Sequence, residues 1–115
     1  MYQFSYSEVM QDSVTDAKER ERQVLDRSIE MLKVARDKEK YTQEAVEALF
    51  YTRRVWVSFI EDLKHPDNQL EIELRANLIS IAIWILKECD KIRRRQSSNY
   101  QGVIDVTTII RDGLK

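Results

Sequence analysis

The chain has 115 residues, of which 19 are basic and 20 acidic, and it contains one cysteine. This length predicts a single helical domain over residues 1–115. The near balance of charge argues against a general attraction to nucleic acid or to an anionic membrane. A lone cysteine, Cys89, excludes an internal disulfide, and a cytoplasmic location is expected. The longest apolar run, 78–86, is interrupted only by Ser80 and is far shorter than the roughly 18 residues that a membrane span requires.

The scarcity of turn residues predicts an all-α fold. The chain has one proline and two glycines, and both glycines lie near the C-terminal end of the sequence. Tight β-hairpins favour glycine at their turns, whereas a helical bundle needs few such breaks. We therefore expect a bundle of three main helices, at about 8–38, 42–64 and 68–95, with a short C-terminal helix at about 105–113.

Three aromatic residues precede the first predicted helix at alternate positions: Tyr2, Phe4 and Tyr6. They form an N-terminal aromatic segment, residues 1–7, in which Ser7 can cap the helix that follows. Apolar residues then recur every three or four positions, which is the helical period. Glu21 and Ser28 interrupt this apolar stripe and are unusual there.

The second predicted helix, capped by Thr42, has an apolar arc wider than half its circumference. One neighbouring helix cannot cover such an arc, so this helix is central or offers a face to a partner. Arg53 lies within the arc, where an unpaired guanidinium is costly. We expect it to bond Glu21 or a helix 3 carboxylate such as Glu73 or Glu88; alternatively, Arg53 and Glu21 line a groove and meet a ligand.

Pro66 is the one strong break, and the third helix is expected to begin after it. Between 78 and 86 this helix is apolar nearly all round, which predicts that it is covered on several sides. A polar linker at 96–104 leads to the last helix, for which Asp105 is the expected N-cap. A helix is preferred to a strand here because a lone strand would have no partner.

Catalytic, cofactor and metal sites are not indicated by the sequence. One Cys and one His give no metal-ligand spacing, Cys89 falls on a core stripe, and His65 falls in an interhelix break. We expect a protein without cofactors that acts by binding and not by catalysis. The basic cluster at 91–95 is the best candidate for nucleic acid, but it is short and lacks interleaved aromatics, so complementing the helix dipole is the favoured interpretation.

Surplus apolar side chains on helices 2 and 3 predict a groove for an amphipathic helix. Its expected lining is Phe50, Trp56, Val57, Phe59, Ile83 and Trp84. The segment bearing Tyr2, Phe4 and Tyr6 is expected to cover this groove in the free protein and to be displaced by the partner. The alternative occupant is a second copy of the chain, which would form a homodimer.

Several segments together resemble the FlaF family of bacterial flagellar proteins: 48–56 with Phe59 and 61–63, then 68–70, 74–81 and Trp84. Glu71 departs from the pattern, because many members have proline there. The resemblance implies a flagellar biosynthesis regulator that binds flagellin before export, as a secretion chaperone, beside a second regulator, FlbT. It also leaves open a post-transcriptional regulator that acts with FlbT through RNA or a protein complex, using residues 91–95.

Overall fold

A computed structural model describes residues 6–38 and 40–113, with side chains from residue 16 onward within those ranges. The described residues form four helices and no strand: α1 (Tyr6–Arg36), α2 (Gln43–Lys64), α3 (Ile72–Arg93) and α4 (Tyr100–Gly113). The all-helical prediction is confirmed. Among the described helices, none combines the length and the apolar character that crossing a bilayer demands.

The predicted boundaries of α2 are confirmed by its caps. The Thr42 side chain accepts a hydrogen bond from the Ala45 N–H at 3.3 Å, which satisfies one of the free donors of the first turn. His65 ends the helix in an extended backbone conformation (φ −65°, ψ 135°), as expected for a residue that precedes proline.

The third helix begins at Ile72, four residues later than predicted. The Asn68 side chain accepts a hydrogen bond from the Leu70 N–H at 3.0 Å and donates one to the Asp62 carbonyl at 3.1 Å. An asparagine that bonds the backbone two residues on stabilises a turn in competition with a helix. Residues 68–70 are therefore a turn anchored to the end of α2.

The fourth helix begins at Tyr100, so the prediction that Asp105 caps it is wrong. Asn99 is the cap: its side-chain oxygen accepts from the Gly102 N–H at 3.0 Å. A Cβ at Gly102 would lie 2.8 Å from Asn99 Cγ, so a glycine leaves room for this cap. Asp105 lies inside the helix and accepts from Gln101 at 2.7 Å.

The helices are arranged so that α1 and α2 are both central. α1 packs against α2 on one side and α4 on the other, while α3 packs mainly against α2 and touches α4 only sparingly. Two contacts fasten α4 antiparallel to α1: Arg36 to Gln101 at 2.7 Å and Arg111 to Asp26 at 2.8 Å. The sparse contact leaves a seam between α3 and α4.

The core is an apolar cluster with one polar pair inside it. Ser28 of α1 and Thr52 of α2 are fully buried, and their hydroxyl oxygens lie 2.6 Å apart in a hydrogen bond. This pair explains the serine that interrupts the apolar stripe of α1. Around it pack residues from all four helices, among them Leu25, Ile29, Leu32, Leu49, Trp56, Ile85, Ile92 and Val103.

The structure leaves several large apolar side chains of α3 uncovered. Ile72 is 75% exposed, Leu74 45%, Ile83 42% and Trp84 39%. The prediction that α3 is covered on several sides is therefore wrong for the described residues. The reason is that α3 packs mainly against α2, since α4 lies along α1 and touches α3 only sparingly.

Candidate functional site

The seam between α3 and α4 widens into a cleft of about 310 Å³ at one end of the molecule. We name it the apolar cleft. All four helices and the α2–α3 turn contribute to its lining, which comprises Lys18, Glu21, Trp56, Phe59, Asp62, Leu63, Asn68, Gln69, Leu70, Leu78 and Ile110. Its central side chains are apolar, whereas its charged residues come from α1 and from the last part of α2.

Trp56 and Phe59 form the aromatic part of the apolar cleft. Their ring centroids are 5.5 Å apart and the planes meet at 87°, which is the edge-to-face arrangement that aromatic quadrupoles favour. Trp56 is only 2% exposed, whereas Phe59 is half-buried. The pair therefore forms a rigid bottom for the cleft.

The indole N–H of Trp56 has no hydrogen-bond partner among the described residues, although it is buried. An unpaired buried donor costs about 1–3 kcal/mol, so such groups are rare in native proteins. Trp56 is also one of the residues that line the apolar cleft. The structure thus holds an unused donor beside apolar surface.

The α2–α3 turn presents an apolar side chain at the edge of the same cleft. Asn68 ties the turn to the end of α2 through the Asp62 carbonyl and also holds the Leu70 N–H. Leu70 remains 42% exposed in this position. A leucine held by hydrogen bonds with its side chain in solvent extends the apolar surface beyond the bottom of the cleft.

Two carboxylates stand at the rim. Burial raises the pKa of Glu21, and the neighbouring negative charge of Asp62 raises it further, while Lys18 and Arg20 act in the opposite direction. Neither carboxylate forms a salt bridge within the described part of the chain. A cation placed between them would relieve this repulsion, so the rim is suited to a basic group.

The six residues predicted to share one groove lie in three places. Trp56 and Phe59 line the apolar cleft. Phe50, which is 63% exposed, lines a different hollow at the opposite end of α2. Val57 is half-buried on α2, and Ile83 and Trp84 lie exposed on α3 away from both hollows. Tyr2 and Phe4 and the side chain of Tyr6 lie outside the described residues.

The structure does not pair Arg53 with Glu21, Glu73 or Glu88, and the helix 3 carboxylate whose charge interacts with Arg53 is Asp90. Arg53 is exposed at the hollow that contains Phe50, beside Cys89 and Asp90, and it makes no salt bridge within the described residues. Glu21 lies at the apolar cleft instead. Arg53 avoids the cost of burial by reaching solvent, so it needs no buried carboxylate partner.

Several lining residues of the apolar cleft were not expected from the sequence, namely Leu63, Leu70, Leu78 and Ile110. The positions of Leu63 and Leu78 on apolar stripes could not reveal that both line the cleft. The predicted third helix includes Leu70 in its first turn. Asn68 was the available signal that this stretch is a turn instead, because asparagine favours turns. Ile110 required knowledge of how α4 packs.

Cys89 is a buried thiol on the core face of α3. Burial raises the pKa of the Cys89 thiol to about 12, with a further contribution from the adjacent Glu88. The thiol is therefore protonated and inert at neutral pH. The described residues contain no cluster of three or more metal-ligating side chains.

Fold and site together define a small helical protein with an open apolar cleft in place of a fully closed bundle. The sequence model of the family described as flagellar protein FlaF matches residues 2–114, which is nearly the whole chain. The chain belongs to the FlaF family of flagellar proteins. No curated protein and no solved structure matches it.

Proposed function

We propose that this FlaF protein binds flagellin in the cytosol as a secretion chaperone and couples flagellin synthesis to export and filament assembly. An amphipathic terminal helix of flagellin would lay its apolar face in the apolar cleft. The observation that supports this proposal is the buried, unpaired Trp56 N–H in an open cleft.

The size of the cleft fits side chains from a docked helix. A volume of about 310 Å³ accommodates a few apolar side chains while the rest of the helix lies across the surface. Exposed Ile72 and Leu74 lie on the adjacent first turn of α3 and lengthen the apolar track. Helix-in-groove binding uses apolar anchors spaced at i, i+3, i+4 and i+7, which matches a short cleft with apolar flanks.

The polar groups of the cleft indicate which side chains the bound flagellin helix should carry. The Trp56 N–H requires an acceptor, such as a side-chain amide or hydroxyl on the partner. The Glu21–Asp62 rim favours a lysine or arginine beside the apolar face. We therefore infer that the bound segment is an amphipathic helix with a basic residue at the edge of its apolar stripe.

Tryptophan fluorescence in the Trp84→Phe background tests the proposal, because Trp56 is then the only tryptophan. Adding purified monomeric flagellin should shift Trp56 emission. Leu70→Asp in that background should weaken flagellin binding about tenfold or more, since a buried leucine contributes roughly 1.5–3 kcal/mol.

The matched control is Ile109→Asp, which adds the same charge at an apolar residue that is 69% exposed on α4 and lies outside the cleft. It should leave the affinity for flagellin unchanged. Equal losses in the two variants, or no loss in either, would place the binding surface elsewhere.

A further inference from the structure

The basic residues of this nearly neutral chain are unevenly distributed. Three short segments, 36–41, 53–54 and 90–95, contain nine of its 19 lysines and arginines but only three of its 20 acidic residues. The end of α1, the end of α3, the start of α2 and Arg53 meet in two hollows at one end of the bundle. This end is opposite to the apolar cleft.

Two adjoining hollows occupy this end. One has a volume of about 560 Å³ and the other about 440 Å³, and they share Tyr41 and Arg95. We name the pair the basic basin. Its charged and aromatic lining is mostly cationic: Arg36, Lys38, Lys40, Tyr41, Phe50, Arg53, Asp90, Arg93, Arg95 and Tyr100.

Some of these cations are already neutralised and others are not. Asp90 forms salt bridges with Arg93 at 2.6 Å and with Arg94 at 3.1 Å, and Asp37 forms one with Arg36 at 2.9 Å. In contrast, four basic side chains lining the basin have no salt bridge within the described part of the chain, namely Lys38, Lys40, Arg53 and Arg95. The basin therefore holds four cations without a salt bridge among the described residues, and only weaker long-range attraction to Glu44 and Asp90 acts on Lys38 and Arg53.

Arg95 reaches the basin from an unfavourable backbone conformation. It adopts φ 60°, the left-handed conformation that glycine usually supplies after a helix, and the Gln96 N–H closes the turn onto the Lys91 carbonyl at 2.8 Å. Its guanidinium lies 4.2 Å from the centre of the Tyr41 ring. Glycine would be less strained at this position. The presence of an arginine there indicates that its positive charge is functional.

The fold also supplies the aromatic groups that the linear basic cluster lacks. Tyr41 precedes α2, and Phe50 lies on its first half with a ring that is 63% exposed. The Arg54 guanidinium lies 5.9 Å from the Phe50 ring centre. An exposed aromatic face among arginines is the combination on which single-stranded bases stack.

We propose that the basic basin binds a single-stranded nucleic acid. Lys38, Lys40, Arg53 and Arg95 contact phosphates, and one base stacks on Phe50. An acidic peptide would use the cations but would leave the exposed ring without a planar partner. A duplex hides the faces of its bases and would not use it either. This site is independent of the apolar cleft and of flagellin binding.

Fluorescence anisotropy with a labelled single-stranded RNA of about 12 nucleotides tests the proposal, a length suited to one compact site. Three or four phosphate contacts should give a slope of log K against log salt of about −2 to −3. Arg53→Gln with Arg95→Gly should weaken RNA binding at least tenfold. Because glycine suits the left-handed backbone at position 95, this variant should unfold at an unchanged or higher urea concentration.

Two further variants separate stacking from charge. Phe50→Leu should weaken RNA binding while leaving the salt slope unchanged, because it removes a ring and no cation. The control, Lys64→Gln with Lys87→Gln, removes two exposed cations that lie outside the basin, and it should retain the affinity of the wild type.

Unchanged RNA affinity in the Arg53→Gln, Arg95→Gly variant would overturn the proposal. So would competition by duplex RNA or by polyglutamate as effective as that by unlabelled single strand, since the basin would then recognise negative charge alone. Flagellin binding is measured on the same variants and should not change, so failure here and failure of the flagellin proposal are distinguishable.

Discussion

The two ends of the molecule differ in what they leave unsatisfied. At the apolar cleft the helices diverge, and among the described residues a buried indole donor has no acceptor and Leu70 is partly exposed. At the basic basin the helix starts are capped by Thr42 and Asn99, and four lining cations have no salt bridge within the described part of the chain. A formal net charge of −1 conceals this separation. The comparison teaches that the net charge of a chain can hide an apolar surface and a basic surface at opposite ends of the same molecule.

The core between the two ends keeps them apart. α1 and α2 cross with Ser28 and Thr52 paired at 2.6 Å, and this polar pair fixes how the two helices meet. α4 is held along α1 by Arg36 near the basin and by Arg111 nearer the cleft. The cleft therefore arises from the position of α3, which has support chiefly from α2.

The largest expected effect distinguishes the two tryptophans. Trp56→Ala should lower the free energy of unfolding by about 3–5 kcal/mol, because it removes a nearly fully buried ring and leaves a cavity. Trp84→Ala should cost less than about 1 kcal/mol, because Trp84 is 39% exposed on α3. Urea unfolding followed by circular dichroism measures both; similar losses would show that α3 is covered in solution.

A smaller effect is expected at the turn that shapes the cleft. Asn68→Ala removes two side-chain hydrogen bonds, one donated to the Asp62 carbonyl and one accepted from the Leu70 N–H. This variant should lower the free energy of unfolding by about 1–2 kcal/mol. The Leu70 amide should also exchange with solvent faster. Asn77→Ala, at an exposed position of α3, is the control and should stay within about 0.5 kcal/mol of wild type. A normal Leu70 exchange rate in Asn68→Ala would contradict the account of the turn.

The smallest effect concerns the acidic rim. Burial and Asp62 raise the pKa of Glu21 above its ordinary value near 4.5, so the folded chain holds this proton more tightly than the unfolded chain. Stability should therefore fall as the pH rises from about 4.5 through the folded pKa. Glu21→Gln should remove that part of the pH dependence and leave the free protein slightly more stable at neutral pH.

Flagellin affinity provides the second measurement on the rim. If the rim serves to hold a basic group, Glu21→Gln should bind flagellin more weakly even though the free protein is more stable. Glu61→Gln, an exposed position on α2 that does not line the cleft, is the matched control. Stronger flagellin binding by Glu21→Gln would show that the rim repels the partner.

Sequence signals that act over a few residues predicted most of the helix boundaries. They did not predict which residues lie together on the surface to form a site. Thr42 and Pro66 set the limits of α2, because capping and proline geometry act within a few residues. The turn role of Asn68 and the cap at Asn99 were missed, since asparagine competes equally well for turns and for helix starts. Ser28 could not reveal its partner Thr52, which lies 24 positions away.

The candidate sites were harder to predict than the helices because they depend on neighbours. Trp56 and Phe59 were expected to line a groove and do line the apolar cleft, since both lie on the apolar arc of α2. Phe50 lies on the same arc, but about two helical turns away it meets the end of α3 and not the seam. The opening between α3 and α4 is a tertiary feature that periodicity along one helix does not encode.

Hydrogen exchange on the protein with and without flagellin tests the central claim most directly, because it follows the cleft and the basin at once. Binding should slow exchange in residues 56–63 and 68–78 and near Ile110, and leave residues 36–41 and 91–97 unchanged. Protection confined to the basin segments, with the cleft segments exchanging as in the free protein, would contradict the assignment of flagellin to the apolar cleft.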